Sequence, residues 1–335
     1  MENWYAETGP DEDVVISSRI RLARNFKDIA FPARANKKQQ DQVISIIKEA
    51  LPEMNCYLMS DLPNLEKEYL IETHTISSDL AKSKKNSCLF TNDERASVMV
   101  NEEDHMRIQS VFSGLRLEEA YDDCLKIERN NKLQENYAFT YEFGYLTACP
   151  TNTGTGLRAS AMVHVPALVI SGKINSILDS CSKLGIAVRG IYGENSGSGA
   201  HMIQISNQVT LGQSEAEIIA SIKNIIGQIA VLERQERQNL LEKGGIHFTD
   251  KIYRALGILK NTRCIDTEEA LKLISEVKMG LDMGILKGAT ISDIVTILTN
   301  VQPACLQKIE GRILTPDERD EARATFIREN IAKVE

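Results

Sequence analysis

Arg19 and Arg21 sit two residues apart in the segment SSRIRLARN, alternating with Ile20 and Leu22. In an extended strand that spacing turns both guanidinium groups to one face and both aliphatic chains to the other. Two permanently charged forks on one surface suit a polyphosphate. The same pattern also describes a half-buried edge strand with solvated arginines. A second segment, NEEDHMRIQ, sets Glu102, Glu103 and Asp104 side by side after the apolar run SVMV, with His105 and Arg107 just beyond. Adjacent carboxylates at a strand end repel one another unless a cation lies against them. The cation whose planar fork matches a carboxylate in two places is a guanidinium. A solvated acidic turn is the alternative.

Two further segments are rich in glycine. CPTNTGTGLRAS runs from Cys149 to Ser160 and places Gly154 and Gly156 ahead of Arg158. Glycines let backbone amides approach a phosphate closely, and Arg158 adds charge; a plain strand connection would look similar. Cys149 fits either a small buried hydrophobe or a thiolate beside a reacting guanidinium. RGIYGENSGSGAH, from Arg189 to His201, carries Gly190, Gly193, Gly197 and Gly199, which suits a flap over a ligand or an ordinary hairpin loop. His74 in IETHTIS is a lone histidine, a residue that is commonly structural and that can also stack on a nucleotide base. The usual nucleotide motifs are missing: no GxxxxGK[ST] loop, no GxGxxG after a strand, and no HRD or DFG element.

The elements that must position these residues change character along the chain. Before Gly244, short apolar runs (ASVMV ending at Val100, GYLTAC at Cys149, LRASAMVHV at Val165, AHMIQIS at Ser206) read as strands. The stretches 176–184 and 214–242 between and after them have helical spacing, and the pattern beyond Gly245 is helical almost throughout. A mixed α/β region followed by a smaller helical one is expected. With 335 residues, 42% of them hydrophobic, the chain can bury a sizeable core. A net charge of -8 argues against broad affinity for nucleic acid or anionic lipid. The acidic start and the absence of a long apolar run predict a cytoplasmic protein without a membrane span. Seven cysteines without CxxC spacing read as reduced thiols.

In order, SSRIRLARN, VNEEDHMRIQ, CPTNTGTGLRAS and the RGIYGE flap resemble the phosphagen kinase superfamily, the creatine and arginine kinases, over roughly residues 17–212. That resemblance implies an α+β fold. A glutamine-synthetase-like antiparallel sheet flanked by helices would form the catalytic domain, residues 1–243, and a small all-helical domain would follow, residues 244–335. It implies ATP as phosphoryl donor, with Mg²⁺ held mostly by ATP oxygens and no metal site of the protein's own. Arg19, Arg21, Arg107, Arg158 and Arg189 are implied clamps on the ATP phosphates. The implied nucleotide site also includes Ser17, Ser18, Ile20, His74, Ala159, Ser160, Ala161, Met162, Gly190, Ile191, Tyr192, Gly193 and Glu194. Glu103, with Glu102 and Cys149, is implied at the acceptor guanidinium. A guanidinium is protonated and a poor nucleophile in water, so carboxylates must orient it and take its proton.

Metabolic members of the superfamily carry a helical domain ahead of the catalytic one, whereas here SSRIR begins at Ser17, so the acceptor side is expected to be open enough for a protein side chain. The C-terminal region resembles that of the bacterial protein arginine kinases of the McsB type. In it, TPDE reads as a capping box with proline at the first helical position, so Arg319 and Arg323 of RDEARA share a helix face. The residues alone also fit a solvated, charge-rich helix. The resemblance implies a phosphoarginine pocket at Arg319, Asp320, Arg323 and Ala324 with an allosteric role, and a homodimer. It further implies an activator with zinc-binding modules, a heat-shock repressor as substrate, and a Clp unfoldase-protease that degrades marked clients under stress. Two other functions share these residues: a kinase for free arginine or a similar small molecule, and a silent adaptor that binds phosphoarginine.

Overall fold

The computed structural model describes residues 4–92, 95–190 and 200–335. Its strands are β1 (Val15–Arg24), β2 (Asn55–Leu58), β3 (Cys88–Thr91), β4 (Ala96–Val100), β5 (Met106–Ser113), β6 (Phe139–Thr140), β7 (Gly144–Tyr145), β8 (Leu157–His164), β9 (Ile186–Gly190) and β10 (Met202–Asn207). Helices α1 (Lys37–Ala50), α2 (Asn64–Glu72), α3 (Ser78–Ala81), α4 (Leu117–Glu128), α5 (Asn131–Gln134), α6 (Pro166–Ile170) and α7 (Ile174–Lys183) lie between them. The C-terminal series is α8 (Glu215–Asn261), α9 (Thr267–Asp282), α10 (Ile291–Asn300), α11 (Pro303–Glu310) and α12 (Pro316–Ile331).

Eight strands form one antiparallel sheet in the order β2-β3-β4-β5-β1-β8-β10-β9, and β6 pairs with β7 as a separate hairpin. The strand carrying the first arginine pair is therefore central rather than at an edge. Alternation along it sends Ile20 and Leu22, both fully buried, into the main core with Leu157, Ala159, Ala161, Ile108 and Ile205. Helices α1, α4 and α8 contribute Val43, Ile47, Leu117, Ile222 and Ile226 to the same core. The opposite face of these strands keeps its polar residues. The GYLTAC run yields only the two-residue strand β7, because Leu146 and Ala148 leave the ladder to bond Ala138 and Asp104.

The long helix begins at a capping box between Ser214 and Glu217 and breaks at Gly245 (φ 49°, ψ -127°), close to the end expected near residue 242, and a second helical stretch carries α8 on to Asn261. That positive φ is open to glycine. Beyond it Phe248 and Ile252 join Ile274, Val277, Ile294 and Ile331 in a second core that also takes in Tyr5 and Ile16 from the other end of the chain and Ala200 and Met202 from its middle. A buried ionic knot sits at the same junction. Lys278 Nζ pairs with Asp282 at 2.9 Å and donates to the Asp13 carbonyl, and Arg237 bonds Glu233 at 2.8 Å and pairs with Asp282 at 3.3 Å. Such groups are tolerated only because each finds a partner. The first amides of α11 donate to the Glu72 carboxylate, at 2.9 Å from Ala304 and 2.8 Å from Cys305, which ties the helical region to α2. Among the described residues no helix is long and apolar enough to cross a membrane.

Candidate active site

Register decides which side chains meet on the polar face. On β1, Arg19 lies opposite Val111 and Ser160, and Arg21 lies opposite Gln109 and Arg158. Arg107 stands opposite Ala23 across β5 and β1, and Arg189 stands opposite Gln204 across β9 and β10. Arg21 and Arg158 are thus direct cross-strand neighbours of like charge, an arrangement that costs stability. Burial and the neighbouring guanidinium groups push Arg19 down to about 10, and depress Arg21 and Arg158 for the same two reasons. The Nε atoms of Arg21 and Arg158 are buried without a hydrogen-bond partner. Among the described residues no carboxylate is within ion-pair distance of Arg19, Arg21, Arg158 or Arg189. Four guanidinium groups with no ion-pair partner among the described residues suit a polyanion.

Three hollows run along this face, each sharing residues with the next. The first, about 210 Å³, is lined by Ser17, Arg19, His74, Ser160, Met162, Arg189, Gly190 and Gln204. The middle one shares Arg189 with it and adds Thr151, Asn152 and Arg158. The third holds Arg21, Arg107 and Arg158 together with Glu103, Cys149 and Asn152. His74, in a left-handed turn at φ 61°, is kept neutral at ordinary pH because burial, reinforced by Arg19, lowers it to about 4. Its ring lies 6.0 Å from that of Trp4, whose indole donates to the Thr73 carbonyl. A neutral ring at the end of an arginine row suits the base of a nucleotide.

The acids occupy the other end. Glu102 is buried and pairs with Arg107 at 2.6 Å while accepting from the Ser77 hydroxyl. Glu103 faces the pocket with 42% of its side chain exposed, held by Arg107 at 3.1 Å and by Asn152 at 3.4 Å. Asp104 turns inward, where its Oδ1 accepts from Asn25 at 2.6 Å and from the Ala148 amide at 2.7 Å. That carboxylate fixes the acidic turn to the loop bearing Cys149 and Asn152. His105 is structural: Nδ1 accepts from the Phe26 amide at 3.0 Å, so Nε2 carries the proton toward the Ala30 carbonyl. Replacing Asp104 by alanine is expected to lower kcat roughly tenfold to a hundredfold with nucleotide affinity unchanged, because only the acceptor end loses its support. Steady-state kinetics beside a nucleotide titration checks it.

Several expectations need correction. Ser18, Ile20, Ala159 and Ala161 point to the core face by the period of two, and Ser18 Oγ donates to the Gly114 carbonyl, so their side chains do not reach the cleft. Gly154 does not cradle a phosphate. Its amide donates to the Tyr145 carbonyl, and a Cβ there would meet the Thr210 carbonyl at 2.3 Å, so glycine serves close packing. Ile191, Tyr192, Gly193 and Glu194 lie outside the described residues. On α12, Arg323 is 1% exposed and spends its guanidinium on the Val301 and Ile265 carbonyls and on Asp320 at 2.6 Å. Ala324 is buried too, and Arg319 reaches the Leu314 carbonyl at 3.4 Å. The burial of Arg323 therefore opposes a solvated, charge-rich helix face, and the phosphoarginine reading of Arg319, Asp320, Arg323 and Ala324 stands as a proposal. Asp104 is legible only as one of three adjacent acids, Asn152 and Gln204 stand unremarked inside quoted segments, and nothing in the sequence flags Trp4.

Comparison with known proteins adds independent information. A family model described as ATP:guanido phosphotransferase, C-terminal catalytic domain, matches residues 35–236, and one described as protein-arginine kinase McsB C-terminal domain matches residues 245–335. The chain is 42% identical to a protein named protein-arginine kinase from Bacillus cereus (strain G9842) over 98% of its own length and 95% of that protein's. It is 43% identical, with the same coverage, to one so named from Bacillus mycoides (strain KBAB4). Its fold is similar to a crystal structure of lombricine kinase, with a TM-score of 0.59 and 23% identity across 72% of each chain. A duplicated taurocyamine kinase from Schistosoma mansoni gives a TM-score of 0.60 at 22% identity, covering 75% of this chain and 39% of that one. At such identity these two structures bear on the fold alone.

Proposed function

The chain belongs to the ATP:guanido phosphotransferase family, and from that premise we propose that it is a protein-arginine kinase, moving the γ-phosphoryl group of ATP to arginine side chains of proteins. One observation carries the reading of the site: a row of arginines, of which Arg19, Arg21, Arg158 and Arg189 have no ion-pair partner among the described residues, and a carboxylate tied to Arg107 open into the same run of hollows.

The arginines have unused donors where phosphate oxygens would lie, so the residues fit a triphosphate. Arg19 and Arg189 would flank the nucleoside end, with Arg21, Arg107 and Arg158 at the transferring group. ATP supplies the activated phosphoryl group. Mg²⁺ is part of the proposal; it would take its ligands from ATP oxygens, since Glu102 and Glu103 are both engaged by Arg107. Glu103 orients the incoming guanidinium and accepts its proton; the new N–P bond forms as the bond from phosphorus to the leaving ADP oxygen breaks. Arginines balance the charge that spreads over the transferring oxygens. Phosphorylation as a mark for regulated proteolysis, in the cytoplasm, is part of the same proposal.

The test is incubation with ATP-Mg²⁺ and an arginine-containing protein, followed by mass spectrometry under mild conditions. Acid-labile phosphate on arginine, with free arginine a much poorer acceptor, is the expected result. Preference for free arginine would reassign the acceptor, and no transfer to either would leave an adaptor.

A further inference from the structure

The β6–β7 hairpin belongs to none of the groups described so far, and it carries the densest exposed aromatic cluster among the described residues. Phe139 is 50% exposed, Tyr141 103% and Phe143 45%. Phe139 meets the ring of Tyr145 edge-on at 5.2 Å and that of Tyr141 at 5.9 Å, so the cluster is ordered from its base upward. The base is rigid: Arg24 lies 3.5 Å over the Tyr145 ring, and the Tyr145 hydroxyl donates to Glu128 at 2.7 Å. Three solvent-facing aromatic rings on a fixed support have no folding role that accounts for them, and an exposed patch of this kind marks an interaction surface.

Its place in the fold says what would bind. Tyr145 and Gly154 exchange backbone hydrogen bonds at 2.8 and 3.2 Å, which closes the intervening loop, with Cys149 and Asn152 on it, directly onto the hairpin. Cys149 comes four positions after Tyr145, so their Cα atoms are at most about 14 Å apart. Asn25 ties both pieces to the acidic turn, bonding the Leu146 carbonyl at 3.1 Å and Asp104 at 2.6 Å. The hairpin is thus built into the rim of the acceptor end and lies away from the nucleoside end. Between Lys132 and Arg158 the chain has no basic residue, whereas Glu135 and Glu142 fall within it. An apolar, mildly acidic rim complements an extended segment that is itself cationic and carries apolar residues.

We propose that the exposed aromatic hairpin docks the polypeptide flanking the arginine to be phosphorylated, and so selects accessible chain over small guanidino compounds. The proposal rests on the protein-arginine reading of the site. Aromatic side chains give large contact area at low entropic cost, which suits the capture of varied flanking sequences.

The experiment uses the full chain, ATP-Mg²⁺ and casein as an arginine-containing, largely unfolded acceptor. The double variant Tyr141→Ser/Phe143→Ser is compared with the wild type for KM toward casein, kcat, ATP affinity and melting temperature. Both positions are solvent-facing, so the fold is retained. A KM raised roughly tenfold, with kcat and ATP affinity unchanged, is expected, and Tyr141→Phe/Phe143→Tyr restores it. An unchanged KM overturns docking, as does a fall in kcat alone, which would make the hairpin a support for the reacting groups. A wild-type enzyme inert toward casein would instead bring down the protein-arginine reading on which docking rests.

Discussion

Replacing Glu103 by glutamine lowers transfer to protein arginine by roughly three orders of magnitude while ATP still binds and the melting temperature holds. The glutamine oxygen can still accept from Arg107 and Asn152, which lie 3.1 and 3.4 Å from the native carboxylate, so the geometry survives and only the negative charge is lost. That charge is what an incoming guanidinium needs, both to be held flat against the acid and to lose its proton. With 42% of the side chain exposed, little folding energy rides on it. Aspartate at the same position retains the charge about one methylene short of reach, and should keep a small fraction of the rate. The decisive measurement is single-turnover transfer with nucleotide saturating. Undiminished turnover in the glutamine variant would remove Glu103 from the chemistry and leave Glu102, which is buried and already paired with Arg107 at 2.6 Å, as the remaining acid.

The second large effect has opposite signs in activity and stability. Arg21→Met should abolish activity, by roughly a thousandfold, because the transferring phosphoryl group loses a donor at the point where charge accumulates. The same variant without nucleotide should melt a few degrees higher. Burial and the charges of Arg19, Arg107 and Arg158 all depress Arg21, and its Nε has no hydrogen-bond partner. A methionine of similar reach relieves a desolvated, unpaired charge, a change worth about 1–3 kcal/mol in favour of the fold. ATP should raise the melting temperature of the wild type strongly and that of the variant weakly. Differential scanning calorimetry with and without nucleotide separates the two effects. A variant that melts earlier than the wild type in the absence of nucleotide would show that Arg21 holds the fold together and is not reserved for an anion.

Local pattern carried much of this site, and three-dimensional context carried the rest. The alternation of Arg19 and Arg21 with Ile20 and Leu22 told which way each side chain points, since a strand has only two faces. That Arg158 lands beside Arg21 is a matter of register between strands distant in sequence, which no spacing encodes. Asp104 looked like its two neighbours, yet Asn25 and the Ala148 amide draw it inward and give it a different task. Gly154 and Gly156 advertised a phosphate loop, but their freedom is spent against the backbone at Thr210 and Ala23. At Arg323 the helical spacing with Arg319 was legible, whereas the carbonyls of Val301 and Ile265 that capture it come from the turn after α10 and the loop before α9. The hairpin aromatics gave no signal because Phe139, Tyr141 and Phe143 alternate with Thr140 and Glu142, a pattern that reads equally well as a half-buried strand.

The residue at which the long helix breaks, Gly245, is also where the two family models divide, one ending at residue 236 and the other starting at residue 245. Phe248 and Ile252, just past it, share one core with Tyr5, Ile16 and Met202, so a cut made there along the chain would leave oily surface bare on both fragments. Evolutionary modules and mechanical halves are not the same division in this molecule. The seam visible in the sequence runs through the middle of a shared interior.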